Sequence, residues 1–148
     1  MVRVRVTNAQ RSVPVFLARM RTVAQCAARR LGIRASGDLV ITFIDARRMR
    51  ALNKRFMHHD WATDVLSFRY PGEPVIGEIL IAPRQAQAYA RRHGISYAVE
   101  LARYVVHGLL HWLGYDDRTP QEQQAMRALE NKLLSDCRVA VKGVGYRV

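Results

Sequence analysis

The segment from Ser96 to Leu113 constrains the fold more than any other part of the chain. Its apolar spacing predicts one long helix, and Gly114, which tolerates a left-handed backbone, predicts where that helix ends. Apolar side chains cover most of the helix, which must therefore be largely buried; they are Val105, Val106, Leu109, Leu110 and Leu113. The same helix nevertheless carries two histidines, His107 and His111, four residues apart.

The pattern around this helix predicts the other elements. Short runs rich in β-branched residues predict strands at 2–7, 38–45, 64–70 and 76–82. Caps, helical spacing and glycine stops predict further helices at about 12–31, 46–56 and 83–94, and one from about residue 119 into the 130s. A turn at 71–74 makes the last two strands a hairpin, which excludes a fully parallel sheet. The expected fold is therefore α+β: a single domain over residues 1–148, with a small mixed four-stranded sheet packed with about five helices.

The chain is strongly basic, with 24 lysines and arginines against 12 acidic residues and a net charge of +12. Such an excess favours a polyanionic partner, first of all nucleic acid or a ribonucleoprotein. The alternative is that the arginines only solvate the surface. No apolar run approaches the roughly 20 residues that span a bilayer, so no membrane partner is expected.

The N-terminus predicts the compartment, and the compartment in turn predicts the state of the cysteines. The first residues, MVRVRVTNAQ, alternate charge with valine and do not have the continuous apolar region of a signal peptide, so a cytoplasmic location is expected. Cys26 and Cys137 are far apart in the sequence, and neither belongs to a C-x-x-C pair. We therefore expect two free thiols.

The two histidines and the turn after them predict a metal site. On a helix, side chains four residues apart lie on one face at about 6 Å, which lets His107 and His111 bind one ion. Gly114 lets the chain fold back and places Asp117 to reach that ion, although composition alone does not decide between Asp117 and Asp116. Two imidazoles and a carboxylate are typical ligands of zinc and its neighbours. The alternative is that both histidines are hydrogen-bonded core residues.

The reaction expected at this site is hydrolysis, with His107, His111 and Asp117 as the catalytic and metal-binding residues. One divalent ion per chain is expected, zinc first. Three protein ligands leave a coordination position open for water, which is typical of catalytic and not of structural sites. The segment departs from the H-E-x-x-H of zinc peptidases at Gly108, where the glutamate that acts as general base is absent. A metallopeptidase is therefore the least favoured function. A phosphodiester suits the site better, because it offers oxygens of its own and a metal stabilises charge on them.

Two longer motifs resemble those of the bacterial YbeY family, which are single-strand-specific endoribonucleases and rRNA maturation factors. The family signature H-G-x-L-H-x-x-G-Y-D-H stands here as HGLLHWLGYDD, residues 107–117. The family block L-N-x-x-Y-R-x-x-D-x-P-T-D-V-L-S-F stands as LNKRFMHHDWATDVLSF, residues 52–68, and a weaker match is IGEILI at 76–81. The resemblance implies a metal-dependent endoribonuclease in rRNA maturation and quality control of the small ribosomal subunit. As partners it implies rRNA, that subunit and a ribosome-assembly GTPase.

Two departures from the family pattern bear on the chemistry. The family's third histidine ligand falls on Asp117, whose carboxylate lowers the charge of the site and favours harder metals such as Mn²⁺. The family's active-site arginine falls on Met57, which has no charge with which to hold a phosphate. His58 and His59 are the better substitutes, since Arg55 on a continuing helix points away. A non-enzymatic alternative follows, namely a metal-containing RNA-binding or ribosome-assembly factor that is catalytically weakened.

The residues expected to contact RNA lie in the basic helix at 46–56 and just after it. They are Arg47, Arg48, Arg50, Arg55, His58 and His59. The alternative is that the arginines form a solvated face and the histidines a solvated loop. Trp112 and Tyr115, on either side of the metal turn, are candidates for stacking on bases, although Trp112 is better explained as a core residue.

Overall fold

The computed structural model describes residues 2–57 and 65–139, and a four-stranded sheet is its central element. The strands lie in the order β1-β2-β4-β3; they are β1 (Val2–Asn8), β2 (Gly37–Phe43), β3 (Val65–Arg69) and β4 (Val75–Ile81). β1, β2 and β4 are parallel, whereas β3 runs antiparallel to β4. The sheet is therefore mixed and contains the β3–β4 hairpin, as the sequence predicts.

Five α-helices accompany the sheet in the part of the chain that the structure describes. They are α1 (Leu17–Arg30), α2 (Ala46–Leu52), α3 (Pro83–His93), α4 (Tyr97–Trp112) and α5 (Pro120–Asp136). A π-helical turn, Asn53–Met57, follows α2 directly. The expected α+β fold with a small mixed sheet is thereby confirmed. None of these helices is both long enough and apolar enough to cross a membrane.

The main core lies on one face of the sheet, and α4 is at its centre. Alternate residues of the strands point into this core, among them Ile41 and Ile79, which are fully buried. α1, α3 and α5 all pack against α4, so Leu109 and Leu110 are fully buried as well. Burying one leucine side chain contributes about 1.5–3 kcal/mol, which explains why so apolar a helix takes the central position.

The opposite face of the sheet carries a smaller core beneath α2. Met49 of α2 packs there with Leu66 of β3 and with Ala82, and all three are buried. In the π-helical turn, the ring of Phe56 meets that of Phe68 edge-on, with 5.7 Å between the centroids. α2 and the π-helical turn are thus separated from α4 by the sheet.

α1 begins later than the sequence predicts. The expected start at Ser12, with Pro14 in the first turn, is wrong because the helix begins at Leu17. The buried side chain of Gln10 holds the preceding segment in a turn, where its Oε1 accepts the N–H groups of Ser12 and Val13 at 2.9 and 3.1 Å. These two donors are satisfied locally, so they do not need a helix.

The two cysteines are bonded to each other, so the expectation of free thiols is wrong. Cys26 on α1 and Cys137, directly after α5, form a disulfide, and their Cα atoms are 5.8 Å apart. α1 and α5 pack against each other and bring together two residues that are 111 positions apart in the sequence. Local spacing does not indicate such a pair, because only the packing of the two helices creates it.

Candidate metal centre

A glycine turn at the end of α4 directs the chain back along the helix. Gly114 has a φ of +104°, and its N–H donates to the His111 carbonyl at 2.9 Å. The N–H of Tyr115 donates to the Leu110 carbonyl at 3.0 Å. These two bonds form a Schellman motif, which satisfies carbonyls left open at the helix end. The chain after Gly114 therefore returns toward the exposed side of His111.

Asp117 lies between the two histidines. Its Oδ2 is 3.6 Å from Nε2 of His107 and 3.4 Å from Nε2 of His111. One ligand atom from each of the three residues lies within 4.8 Å of the others. The side chain of His107 is 25% exposed, that of His111 28% and that of Asp117 39%, so solvent reaches the group. Asp116, the alternative ligand, is instead near Arg118, with Oδ1 3.8 Å from its Nε.

The donor set fits a divalent metal ion. Ligand atoms that bind zinc tetrahedrally at about 2.0–2.1 Å are about 3.4 Å from each other. The two distances from Asp117 to the histidine nitrogens, 3.4 and 3.6 Å, are close to that value. Two imidazoles and one carboxylate also match the preferred ligands of zinc. The three side chains are thus suitably placed to hold one ion and to leave a position open to solvent.

His107 is oriented by a buried carboxylate on α5. Nδ1 of His107 lies 2.5 Å from Oε2 of Glu130. Burial alone raises the pKa of Glu130, but its hydrogen bonds and charge interactions with His107 and Arg103 outweigh burial and hold that pKa below its usual value. Glu130 is therefore an ionised acceptor, which places the His107 proton on Nδ1 and leaves Nε2 free to bind a metal.

Arg103 completes the support behind the site. Its Nη1 donates to Oε1 of Glu130 at 3.0 Å, and its Nη2 donates to Oδ1 of Asn131 at 2.7 Å. Arg103 and Glu130 are both buried, so each neutralises a charge that is costly to bury alone. The sequence prediction missed this pair. The available signal was an arginine four residues before His107 on an apolar helix, and a glutamate on the apolar face of α5.

The segment that carries Asp117 is fixed by the start of α5. Gln123 donates from Nε2 to the carbonyl of Asp117 at 3.1 Å. Thr119 and Glu122 form a capping box, in which the Thr119 hydroxyl accepts the Glu122 N–H at 3.1 Å. These bonds hold the backbone at Asp117 and just after it, which limits the entropy that the carboxylate loses when it binds an ion.

Gly108 is required by packing between α4 and the sheet. A Cβ atom at this position would lie 2.6 Å from Cγ2 of Ile79 and 3.2 Å from Cγ1 of Val65. Ser67 also donates from its hydroxyl to the Gly108 carbonyl at 3.3 Å. Position 108 therefore faces β3 and β4, and a glutamate there has no room, which agrees with the absence of a peptidase-type base.

Trp112 belongs to the core and Tyr115 to the surface. The Trp112 side chain is buried, and its indole N–H donates to the Phe68 carbonyl at 3.0 Å. Arg69, which the sequence prediction also missed, donates to the Trp112 carbonyl at 2.8 Å and lies over the indole ring at 4.7 Å. Tyr115 is 48% exposed, which leaves it as the aromatic residue of this turn that can stack on a base.

The basic residues of α2 are not brought to the histidine pair. Arg47, Arg48 and Arg50 lie on a helix that covers the opposite face of the sheet. Arg48 is also engaged within the chain, because it donates to Asp45 at 3.1 Å and to the Ala9 carbonyl. The structure thus separates these three residues from the metal group, and their contact with RNA stays a prediction.

The remaining residues predicted to contact RNA lie in or after the π-helical turn. The guanidinium of Arg55 sits 5.2 Å from the centre of the Phe56 ring, on the α2 side of the sheet. His58 and His59 lie outside the described residues, so their roles also stay predictions. Met57, at the position of the family arginine, is the last residue of the π-helical turn.

Comparison with known proteins finds the same family that the sequence motifs resemble. Residues 5–138 match the family described as Endoribonuclease YbeY. Endoribonuclease YbeY of Corynebacterium kroppenstedtii is 34% identical over 84% of this chain and 69% of its own length. Endoribonuclease YbeY of an Anaeromyxobacter species is 40% identical over 78% of this chain and 62% of its own length. These relatives thus extend beyond the region that they share with this chain.

A solved structure supports the fold. The solution structure of TM1509 from Thermotoga maritima superposes with a TM-score of 0.63 and covers 91% of this chain and 89% of its own. Its sequence identity is 23%, so the similarity is evidence for the fold alone. The overall arrangement of the sheet and helices therefore also occurs in a structure determined in solution.

Proposed function

Because the chain belongs to the Endoribonuclease YbeY family, we propose that it is a metal-dependent, single-strand-specific endoribonuclease. Its proposed role is rRNA maturation and quality control of the small ribosomal subunit in the cytoplasm. The observation that carries the proposal is the group of His107, His111 and Asp117, with ligand atoms within 4.8 Å of one another and open to solvent. The proposed partners are rRNA, the small subunit and a ribosome-assembly GTPase.

The protein's own residues determine what this site does. Glu130 fixes His107 so that Nε2 points to Asp117, and Gln123 fixes the backbone of Asp117. A divalent ion held by this group, zinc being the first expectation, supplies a Lewis acid that stabilises charge on a phosphoryl oxygen. Gly108 supplies no general base. The phosphodiester's own oxygens are therefore proposed to accept the proton that water loses in hydrolysis. This requirement favours RNA over a peptide as the substrate.

Charge and exposed aromatic surface support RNA as the substrate. A net charge of +12 attracts a polyanion over distances near the Debye length, about 8 Å at physiological salt. Tyr115, two residues before Asp117, offers an exposed ring on which a base of a single strand can stack. A paired base is less accessible to such a ring, which fits a preference for single strands.

The proposal is tested by comparing RNA cleavage in the wild type and in His111→Ala. His93→Ala is the matched control, because His93 is exposed at the end of α3 and lies outside the metal group. We expect His111→Ala to lose cleavage and bound metal together, while His93→Ala keeps both. Elemental analysis of the purified proteins gives the stoichiometry, expected at one ion per chain. Equal cleavage in all three proteins would exclude a metal mechanism at this site.

A second candidate function rests on Met57. The family's active-site arginine is absent at this position, so the chain could retain the metal for stability and bind RNA in ribosome assembly without cleaving it. Met57→Arg distinguishes the two functions. A large gain in cleavage, from a wild type that binds RNA but barely cleaves it, supports the assembly factor. Unchanged cleavage from an active wild type supports the enzyme.

A further inference from the structure

A cavity of about 190 Å³ opens beside the metal group, between α4 and α5. Its lining includes His107 and Asp117 on one side and residues of α5 on the other. The α5 residues include Gln123, Met126 and Arg127. The cavity thus places a cationic side chain of α5 next to the proposed metal ligands.

Most polar side chains around this cavity already have partners within the protein. Arg103 is bonded to Glu130, and Glu130 is bonded to His107. Gln123 donates to the carbonyl of Asp117. Arg127 differs: among the described residues it forms no ion pair and no side-chain hydrogen bond. Within the part of the chain that the structure describes, its guanidinium is therefore available to an external ligand.

The position of Arg127 on α5 directs it toward the cavity. It follows Gln123 by four residues and precedes Glu130 by three, and both of those side chains face α4 or the turn before α5. Residues at these spacings share one side of a helix. Arg127 is partly exposed, so it lies at the mouth of the cavity where a long polymer can reach it.

An arginine in this setting suits a phosphate. The planar guanidinium offers five donors that match phosphate oxygens in pairs, which lysine does not reproduce. We propose that Arg127 binds a backbone phosphate of the RNA next to the bond that is cut. This proposal rests on the proposed function and adds that the RNA substrate lies along α5.

Binding of RNA without cleavage tests the role of Arg127 directly. Arg127→Gln and Arg127→Lys are made in the His111→Ala background, and the affinity for a labelled single-stranded RNA is measured at several salt concentrations. Arg92→Gln is the matched control, because it removes the same charge from an exposed position on α3. We expect Arg127→Gln to weaken binding about 5- to 20-fold and to reduce the salt slope by about 0.7. Arg127→Lys should recover only part of the affinity, and Arg92→Gln should change little.

The same substitutions are also made in the otherwise wild-type chain, and RNA cleavage by these variants is measured. This measurement separates the present proposal from the proposed function. Arg127→Gln should lower kcat/KM about tenfold, with the thermal midpoint unchanged. If the wild type does not cleave RNA but Arg127→Gln still loses binding, the proposed function fails and the Arg127 contact stands. If Arg127→Gln matches Arg92→Gln in both binding and cleavage, the contact is refuted even when the wild type is active. Absence of RNA binding by every variant refutes both.

Discussion

Glu130 and His107 are 23 positions apart in the sequence, yet a carboxylate oxygen of one lies 2.5 Å from Nδ1 of the other. The contact joins α5 to α4 and fixes which histidine nitrogen faces Asp117. Because Arg103 holds the other oxygen of Glu130, the orientation of His107 depends on a buried ion pair and not on the histidine alone.

Glu130→Gln should weaken metal binding. The glutamine side chain has no negative charge, so it no longer stabilises the Nδ1–H form of His107 by charge. That form is the one in which Nε2 binds the metal. Loss of such a supporting partner typically costs about 10- to 100-fold in metal affinity. Competition with a chromophoric chelator measures this change, and the exposed Glu73→Gln serves as the control. An affinity equal to that of the control would show that Glu130 has no part in metal binding.

Gly108→Ala should destabilise the fold. The new Cβ would meet Cγ2 of the fully buried Ile79 at 2.6 Å, and that β-branched side chain has no space to move. Overpacking of this kind costs about 1–3 kcal/mol, which outweighs the gain of up to about 1 kcal/mol in helix propensity. Urea unfolding measures the difference. Adding Ile79→Ala, which removes the clashing methyl, should give a double mutant less destabilised than the sum of the two single changes.

Breaking the Cys26–Cys137 disulfide should lower stability. The bond closes a loop with a sequence separation of 111 residues, and a crosslink of that length restricts the unfolded chain strongly. Loss of such a disulfide typically costs about 2–5 kcal/mol. Urea unfolding of the wild type with and without reductant, beside the Cys26→Ser/Cys137→Ser double variant, measures the loss. Coincident transitions in oxidised and reduced protein would show that the bond adds nothing to stability.

Tyr97 should ionise late. Burial raises the pKa of Tyr97 to about 12, and its hydroxyl donates to the Pro14 carbonyl at 2.6 Å. The folded protein therefore holds this proton more tightly than the unfolded chain. The resulting stability is complete below the ordinary pKa near 10 and is lost as the pH rises toward 12. The difference between ultraviolet titrations of the wild type and Tyr97→Phe isolates this group, and a midpoint near 10 would contradict the prediction.

The sequence predicts the parts of this molecule that depend on local pattern. The four-residue spacing of His107 and His111 places both on one side of α4, and Gly114 ends the helix where its conformational freedom suggests. The β3–β4 hairpin follows equally from alternation and a turn. These features are settled within a few neighbouring residues, so a single sequence is sufficient to predict them.

Features that arise from packing between distant segments were beyond such reasoning. Gly108 looked like a missing catalytic base, whereas its type is dictated by contact with Ile79. Gln10 delays the start of α1 through side-chain hydrogen bonds, which helix propensities do not take into account. The disulfide, like the Glu130 contact, exists because two helices meet. Periodicity describes one element at a time and does not show which side chains another element will reach.

The bond between Cys26 and Cys137 also makes most of this molecule a covalent ring. The ring contains strands β2, β3 and β4 and the proposed metal ligands His107, His111 and Asp117. A protease that cuts the chain once within it releases no fragment, since the two ends stay joined through sulfur. The cut protein would migrate at its full mass on a non-reducing gel and separate into pieces only after reduction, with the proposed metal ligands still held by one connected molecule until then.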